Sequence, residues 1–511
     1  MDSNLTGERR PMAVHRLPQR AATRSRDLLR ARIAVRPNAL TLIATLAALV
    51  AIAVRLPFFA WPLTVDEAGY AYGAHWWSQG LTLYSDDLWF DRPQGIFVAY
   101  RIGMFLFGDS TEAMRLHGAL WSAATTVFVV LLAYRILNLR AAAVAGTLVA
   151  VLSVAPVIDG FASNAEVFML APATGAAYLI WRGRWTTAGL LVGISILMKP
   201  SGGAILLLGL AWLFSERAPR RAWIAFVSAS ALPLAIALIH GIATVGLHDY
   251  LYATVFFRLS TGGEGDPLLQ LITGWDKVTP VILPLLLLAA FGSRALQSRP
   301  SSRKFMSIWL AMSMLGVAMG GNWFEHYFLQ IVPPLAVFAA AALTVPSWIP
   351  SVGRWWSTHL PARLRATTLA IVPALVALVV LIVPWAVLPP AEGATRLYDM
   401  NGYQQNEEIA AYLAAQTEPT DEIFIAFSHA SLLYLSGRRS STPYLYKQQT
   451  TEIPGALEGQ AADVSAGRPA LVFLIPLQLE RYDPEGLIRA ALPAHYEYDR
   501  SFWSAEVWRR R

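Results

Sequence analysis

The chain contains no cysteine and little charge. Without a thiol, disulfides, thiolate metal sites and cysteine nucleophiles are all excluded. Only 15% of the 511 residues are Asp, Glu, Lys or Arg, against 55% hydrophobic, and the mean hydropathy is +0.43. A soluble chain of this length rarely needs so much apolar surface, whereas a polytopic membrane protein does. The sequence also lacks a P-loop, a GxGxxG fingerprint and zinc-type histidine spacing. A net charge of +7 does not argue for nucleic acid, because the basic residues form short clusters between apolar spans, the positive-inside pattern.

What is present divides into three parts. Residues 1–38 carry nine Arg against three acids and no apolar signal-peptide core, so they read as a retained, disordered cytoplasmic tail. Residues 39–389 hold apolar stretches at about 39–61, 114–134, 141–158, 164–181, 185–198, 201–214, 222–243, 278–293, 305–321, 327–345 and 367–388. A full span needs about 20 residues, so the shorter stretches fit only as helices sheltered inside a bundle. Residues 390–511 alternate helical and extended patterns and read as a small soluble α/β domain. Within it Asn406–Ala415 and Ala456–Val464 are expected as helices, and Glu422–Phe427, Ala470–Ile475 and Glu497–Trp508 as extended.

One more apolar run, Gly95–Phe107, has thirteen residues and is interrupted by Arg101. Charge parity decides its place. If it lies along the membrane surface, the clusters Arg135/Arg140, Arg182/Arg184, Arg217/Arg220/Arg221, Arg294/Arg299/Arg303/Lys304 and Arg354/Arg363/Arg365 all fall in the cytoplasm. If it crosses, every one of them falls outside. The expected fold is therefore mainly α: a helical bundle of eleven spans, N-terminus inside, with the α/β domain on the extracytoplasmic side.

That topology gathers the chemistry on one face. The first outer loop, about 62–112, opens with Asp66-Glu67 and carries Asp91-Arg92-Pro93. Arg115, Glu166, Lys199 and His326 belong to span ends on the same side. A carboxylate at the membrane boundary can take a proton from a hydroxyl. Arg and Lys at the same depth can hold a phosphate, the one as a fork and the other as a point charge. One base with several cations suits a reaction whose leaving group is a lipid phosphate, and glycosyl transfer from a polyprenyl-phosphate sugar is such a reaction. Glu166, one turn into an apolar helix, needs a partner, with Lys199 and Arg115 in reach. Lys199 read blandly is a snorkelling anchor, and Trp76, Trp77, Trp89 and Trp323 an aromatic belt.

Four patterns carry a family resemblance: Asp66-Glu67 opening the first loop with a basic residue and proline later in it, Arg115-Leu116, Gly193-Ile194-Ser195-Ile196-Leu197-Met198-Lys199-Pro200, and His326-Tyr327-Phe328-Leu329-Gln330-Ile331-Val332-Pro333-Pro334. Over about residues 39–345 the chain resembles the GT-C membrane glycosyltransferases, particularly the protein mannosyltransferase and aminoarabinose transferase group. Where relatives often carry two prolines after the basic residue, Arg92-Pro93 here is followed by Gln94-Gly95. The resemblance implies transfer of a monosaccharide from a polyprenyl-phosphate donor to a hydroxyl of a glycan, lipid or protein. It implies Asp66 and Glu67 as catalytic residues and Arg92, Lys199, Arg115 and His326 at the donor phosphate, with Glu166 and Asp91 in support. It leaves a divalent cation on Asp66 or Glu67 open, since some relatives need one and others do not. The reading from another class is a transporter or flippase of a lipid-linked sugar. That would place ionisable residues near the midplane and show an internal repeat, and the sequence has neither pattern.

Overall fold

The computed structural model describes residues 37–261, 266–344, 371–398, 405–427, 429–503 and 505–511. The tail expected over 1–38 lies, except for Pro37 and Asn38, outside the described residues, as do Arg354, Arg363 and Arg365. Most of the described chain is helical. Among the described residues, five helices are long and apolar enough to cross a membrane: Asn38–Phe58, Thr111–Ile136, Arg220–Val245, Pro267–Ala295 and Glu325–Thr344. The bent pair Ile371–Ala386 and Pro390–Tyr398 makes a sixth if it is one span. The expected eleven are not all reached, because Leu139–Leu152, Ala165–Trp181, Trp185–Met198 and Pro200–Ser215 are apolar but only 10–17 residues long, and Pro300–Ala318, with 19 residues, is not among the helices apolar enough to cross. Gln94–Phe107 also forms a short helix. It buries Ile96, Phe97, Ala99 and Tyr100 while Phe105 is 88% exposed, the one-sided pattern of a helix that lies against a surface.

Close backbone approaches organise the short helices. A Cβ added at Gly189 would sit 2.4 Å from the Phe226 carbonyl oxygen, and one at Gly193 would sit 2.5 Å from that of Ser230. The pair is a small-xxx-small stripe that lets Trp185–Met198 seat directly on Arg220–Val245, the way apolar helices associate without a hydrophobic driving force. Gly95 does the same at the other end, where a Cβ would meet the Leu197 carbonyl oxygen at 2.5 Å. This contact packs the start of the Gln94–Phe107 helix, which follows Arg92, against the end of Trp185–Met198, which precedes Lys199.

Among the described residues the C-terminal part carries five strands: β1 (Glu422–Ile425), β2 (Arg439–Ser440), β3 (Leu471–Leu474), β4 (Tyr496–Phe502) and β5 (Ala505–Arg510). They order as β2-β1-β3-β5-β4, parallel over β2-β1-β3 and antiparallel over β3-β5-β4. The central strands read Glu-Ile-Phe-Ile and Leu-Val-Phe-Leu, continuous apolar runs as befits strands covered on both faces. The helices Asn406–Ala415 and Ala456–Ser465 lie where expected. The Glu497–Trp508 segment, read as one extended run, is instead a hairpin that turns after Phe502, with Trp503 at φ 51°. Between Phe502 and Ala505 stand only Trp503 and Ser504, with no Gly, Pro or Asn, so the reversal has a weak local signal.

This sheet does not stand apart from the helices. Leu63, Tyr70, Tyr72, Phe90, Phe97 and Tyr100 share one buried cluster with Ile409, Leu432, Leu445, Phe473 and Val507. The loop after the first helix and the sheet are therefore two sides of a common core.

Candidate active site

Thr64-Val65-Asp66-Glu67 starts the Val65–Ser78 helix as a capping box. The Glu67 N–H donates to Thr64 Oγ1 at 3.3 Å, and the Thr64 N–H donates back to Glu67 Oε2 at 3.0 Å. Glu67 is fully buried and its carboxylate is saturated. Arg115 Nη2 donates to Oε2 at 2.7 Å, the Ser163 N–H donates to Oε1 at 2.5 Å, and Arg115 Nε makes an ion-pair contact with Oε1 at 2.6 Å, off the hydrogen-bonding line. Arg115 spends its remaining donors on the carbonyls of Phe58 (2.9 Å) and Pro62 (3.2 Å). Both Glu67 oxygens are thereby occupied by protein groups, and Arg115 is held by Glu67 and by two backbone carbonyls. Glu67 and Arg115 form a buried strut that joins the helix start to the loop at Ser163. The same loop is gripped by Arg55 Nη1 on the Phe161 carbonyl at 3.1 Å and by the Tyr100 hydroxyl on the Ser163 carbonyl at 2.7 Å.

Asp66, one residue earlier, is the opposite case. It is partly exposed, sits at the positive end of the helix dipole, and its carboxylate makes no hydrogen bond or ion pair with any described residue. Its charge is felt by Tyr70, Arg92 and Tyr446. Adjacent positions in the first turn point in different directions, so one carboxylate is tied into the protein and the other is left without a partner among the described residues.

Around Arg92 the supports are also explicit. Its Nη1 donates to Asp91 Oδ2 at 2.5 Å, and Arg258 pairs with the same oxygen. Burial pushes the Asp91 carboxyl up, but Arg92 and Arg258 outweigh it and hold it below the ordinary carboxylate value. Asp91 thus fixes the Arg92 fork by one nitrogen and leaves the rest of the guanidinium toward Tyr70 and Asp66.

A second group faces the first. Glu166 is buried in the first turn of Ala165–Trp181 and pairs with Lys199 Nζ, which also lies 3.9 Å from the centroid of the Tyr327 ring. Of the two partners in reach on the sequence, Glu166 takes Lys199. His326 Nε2 stands 3.8 Å from Glu166 Oε1, and Nδ1 stands 3.6 Å from Asp159 Oδ2. The Tyr398 hydroxyl donates to Asp159 Oδ1 at 2.8 Å, and Lys277 pairs with Glu325. Among the described residues, Asp159, Glu325 and His326 place one ligand atom each within 4.8 Å of one another, a donor set that suits a divalent cation. An ion there would have to draw Glu325 away from Lys277. The two groups meet at Tyr70, which feels the charges of Asp66, Arg92 and Glu166 together.

The structure thus brings Asp66 and Arg92 into one group and Glu166, Lys199 and His326 into the other, with Asp91 behind Arg92. Sequence reasoning missed Arg258, Asp159, Tyr70 and Tyr446. Arg258 falls between the apolar stretches 222–243 and 278–293 and lies on the helical run 247–261, and Tyr446 comes from the C-terminal domain, so neither carried a local sign.

Residues 91–243 match the family model described as dolichyl-phosphate-mannose-protein mannosyltransferase. The segment runs from Asp91 past Lys199, through much of both groups. The structure of ArnT from Cupriavidus metallidurans bound to undecaprenyl phosphate is similar at a TM-score of 0.58, with 15% identity, over 93% of this chain and 98% of that one. The chain has the fold of the GT-C membrane glycosyltransferases. The apo form of the same ArnT matches at 0.56 with 17% identity, over 92% and 97% of the two chains. The oligosaccharyltransferase of Archaeoglobus fulgidus matches at 0.52 with 14% identity, over 91% of this chain and 73% of that one. No curated protein matches by sequence. The GT-C fold accounts for a multi-pass membrane bundle whose helices and C-terminal sheet share one core.

Proposed function

We propose that this protein is an integral membrane glycosyltransferase that moves a monosaccharide from a polyprenyl-phosphate donor to a hydroxyl acceptor on the extracytoplasmic side. The observation that carries the reading is the contrast at positions 66 and 67, a spent carboxylate next to a free one that faces Arg92. Asp66 accepts the proton of the acceptor hydroxyl as that oxygen attacks the anomeric carbon. The bond from that carbon to the lipid phosphate breaks, and the phosphate leaves with its charge on Arg92. Lys199, held by Glu166 with His326 close to the same carboxylate, adds a second cation. Glu67 and Arg115 act at one remove by fixing the helix start that presents Asp66. The likeness to a structure bound to undecaprenyl phosphate supports a lipid-phosphate donor.

The test of the phosphate reading is a split in kinetic constants. Lys199→Ala should raise KM for a polyprenyl-phosphate sugar about tenfold, since a charge-assisted contact is worth roughly 1.5–3 kcal/mol, and leave KM for the acceptor little changed. Equal effects on both constants would make Lys199 an interfacial anchor. Sidedness is tested separately. Reporter fusions after Arg365 should report the cytoplasm and fusions after Pro390 the outside. A cytoplasmic C-terminal domain would place Asp66 on the wrong side for a donor presented outside.

A further inference from the structure

We propose that Tyr446, carried by the C-terminal domain, completes the phosphate site of the membrane domain by donating its hydroxyl hydrogen bond to the lipid phosphate beside Arg92. This rests on the donor reading above and adds a ligand from a part of the chain that reading does not use.

Three observations converge on that hydroxyl. It is buried and has no hydrogen-bond partner among the described residues, although the ring itself is only partly buried. It lies directly over the first turns of the Val65–Ser78 helix, where a Cβ added at Gly69 would sit 1.7 Å away. Only glycine leaves room for it there. Its electrostatic neighbours are Asp66, Tyr70, Arg92 and Asp91, the members of the first group.

The segment around Tyr446 is built to hold this position. Gln449 Oε1 accepts from the backbone N–H groups of Leu445 (2.9 Å) and Tyr446 (3.2 Å), and its Nε2 donates to Asp91 Oδ1 at 3.3 Å. The next residue, Gln448, accepts from Arg258 Nη1 at 3.0 Å. Asp91 therefore holds Arg92 with one oxygen and the Tyr446 turn with the other, which fixes the two groups relative to each other. A buried donor left without an acceptor is costly unless a ligand supplies one. Burial, and after it the nearby Asp66 charge, hold the phenol well above its ordinary pKa, so it remains an O–H donor. A neutral donor next to a partly engaged guanidinium matches a phosphate oxygen and not a cation.

The test compares the full-length protein in detergent with its Tyr446→Phe and Gly69→Ala variants, using undecaprenyl phosphate and undecaprenol as probes. Tyr446→Phe removes a hydroxyl that bonds to no described residue, so Tm should stay level or rise. Binding of undecaprenyl phosphate should nonetheless weaken about tenfold, and undecaprenol should bind both proteins equally. Gly69→Ala, which pushes the ring aside from the opposite element, should give the same selective loss. Unchanged undecaprenyl phosphate binding by Tyr446→Phe overturns the assignment, and so does an equal loss toward undecaprenol. Wild-type protein that ignores undecaprenyl phosphate altogether would instead sink the donor reading, and this inference with it.

Discussion

Asp66→Asn should insert and fold as the wild type does and lose at least about 100-fold in transfer, the usual contribution of a general base. The substitution is nearly isosteric, and the Asp66 carboxylate makes no hydrogen bond or ion pair with a described residue, so folding has nothing to lose. What disappears is the one group near Arg92 that can accept a proton and is not already occupied. Asp91 cannot substitute, since one oxygen is held by Arg92 and Arg258 and the other by Gln449. Glu67 cannot either, with two contacts on each oxygen. The measurement is transfer of a labelled sugar from a polyprenyl-phosphate donor in membranes, normalised to folded protein. Turnover near that of the wild type would remove Asp66 from the mechanism and leave the site without a base.

The same two residues show how far a sequence can be read. That Asp66 and Glu67 begin a helix at a bundle end is legible, because the apolar run stops and Thr-x-x-Glu follows, the pattern of a capping box. That motif also assigns the Thr64-to-Glu67 exchange to structure, and it was a local sign for separating the two carboxylates. The rest of Glu67's ties were not local. Arg115 lies 48 residues away and Ser163 lies 96 residues away, and no spacing rule connects them. Glu166 is similar: its burial demanded a cation, and two were in reach, but only packing decides for Lys199. The helix Asn406–Ala415 was legible to the residue because it rests on its own periodicity. The β4–β5 hairpin was not, because the two residues between its strands, Trp503 and Ser504, include no Gly, Pro, Asn or Asp and give only a weak turn signal. Tyr446 was beyond reach for the strongest reason, since it meets Gly69 across almost the whole chain.

Glu67→Ala should be the most destabilising single change at the site, by about 3–5 kcal/mol, the cost of leaving a buried ionic partner uncompensated. Both side chains are almost wholly excluded from solvent, Arg115 at 1% and Glu67 at 0% exposure. Removing the carboxylate strands the Arg115 guanidinium and orphans the N–H groups of Thr64 and Ser163 at once. Arg115→Met should cost less, since the carboxylate left behind keeps those two N–H donors while the methionine fills the aliphatic volume. Glu67→Gln should fall between wild type and alanine, because its amide oxygen can still accept. The ordering Glu67→Ala below Arg115→Met, with Glu67→Gln above alanine, is read from thermal unfolding in detergent and from the yield of folded protein. Specific activity decides the role. If Glu67 is a strut, the folded fraction of Glu67→Gln should turn over close to the wild-type rate, and lost activity should track lost protein. A well-folded Glu67→Gln that is inactive would return Glu67 to the chemistry and make its burial a device for tuning a second catalytic carboxylate.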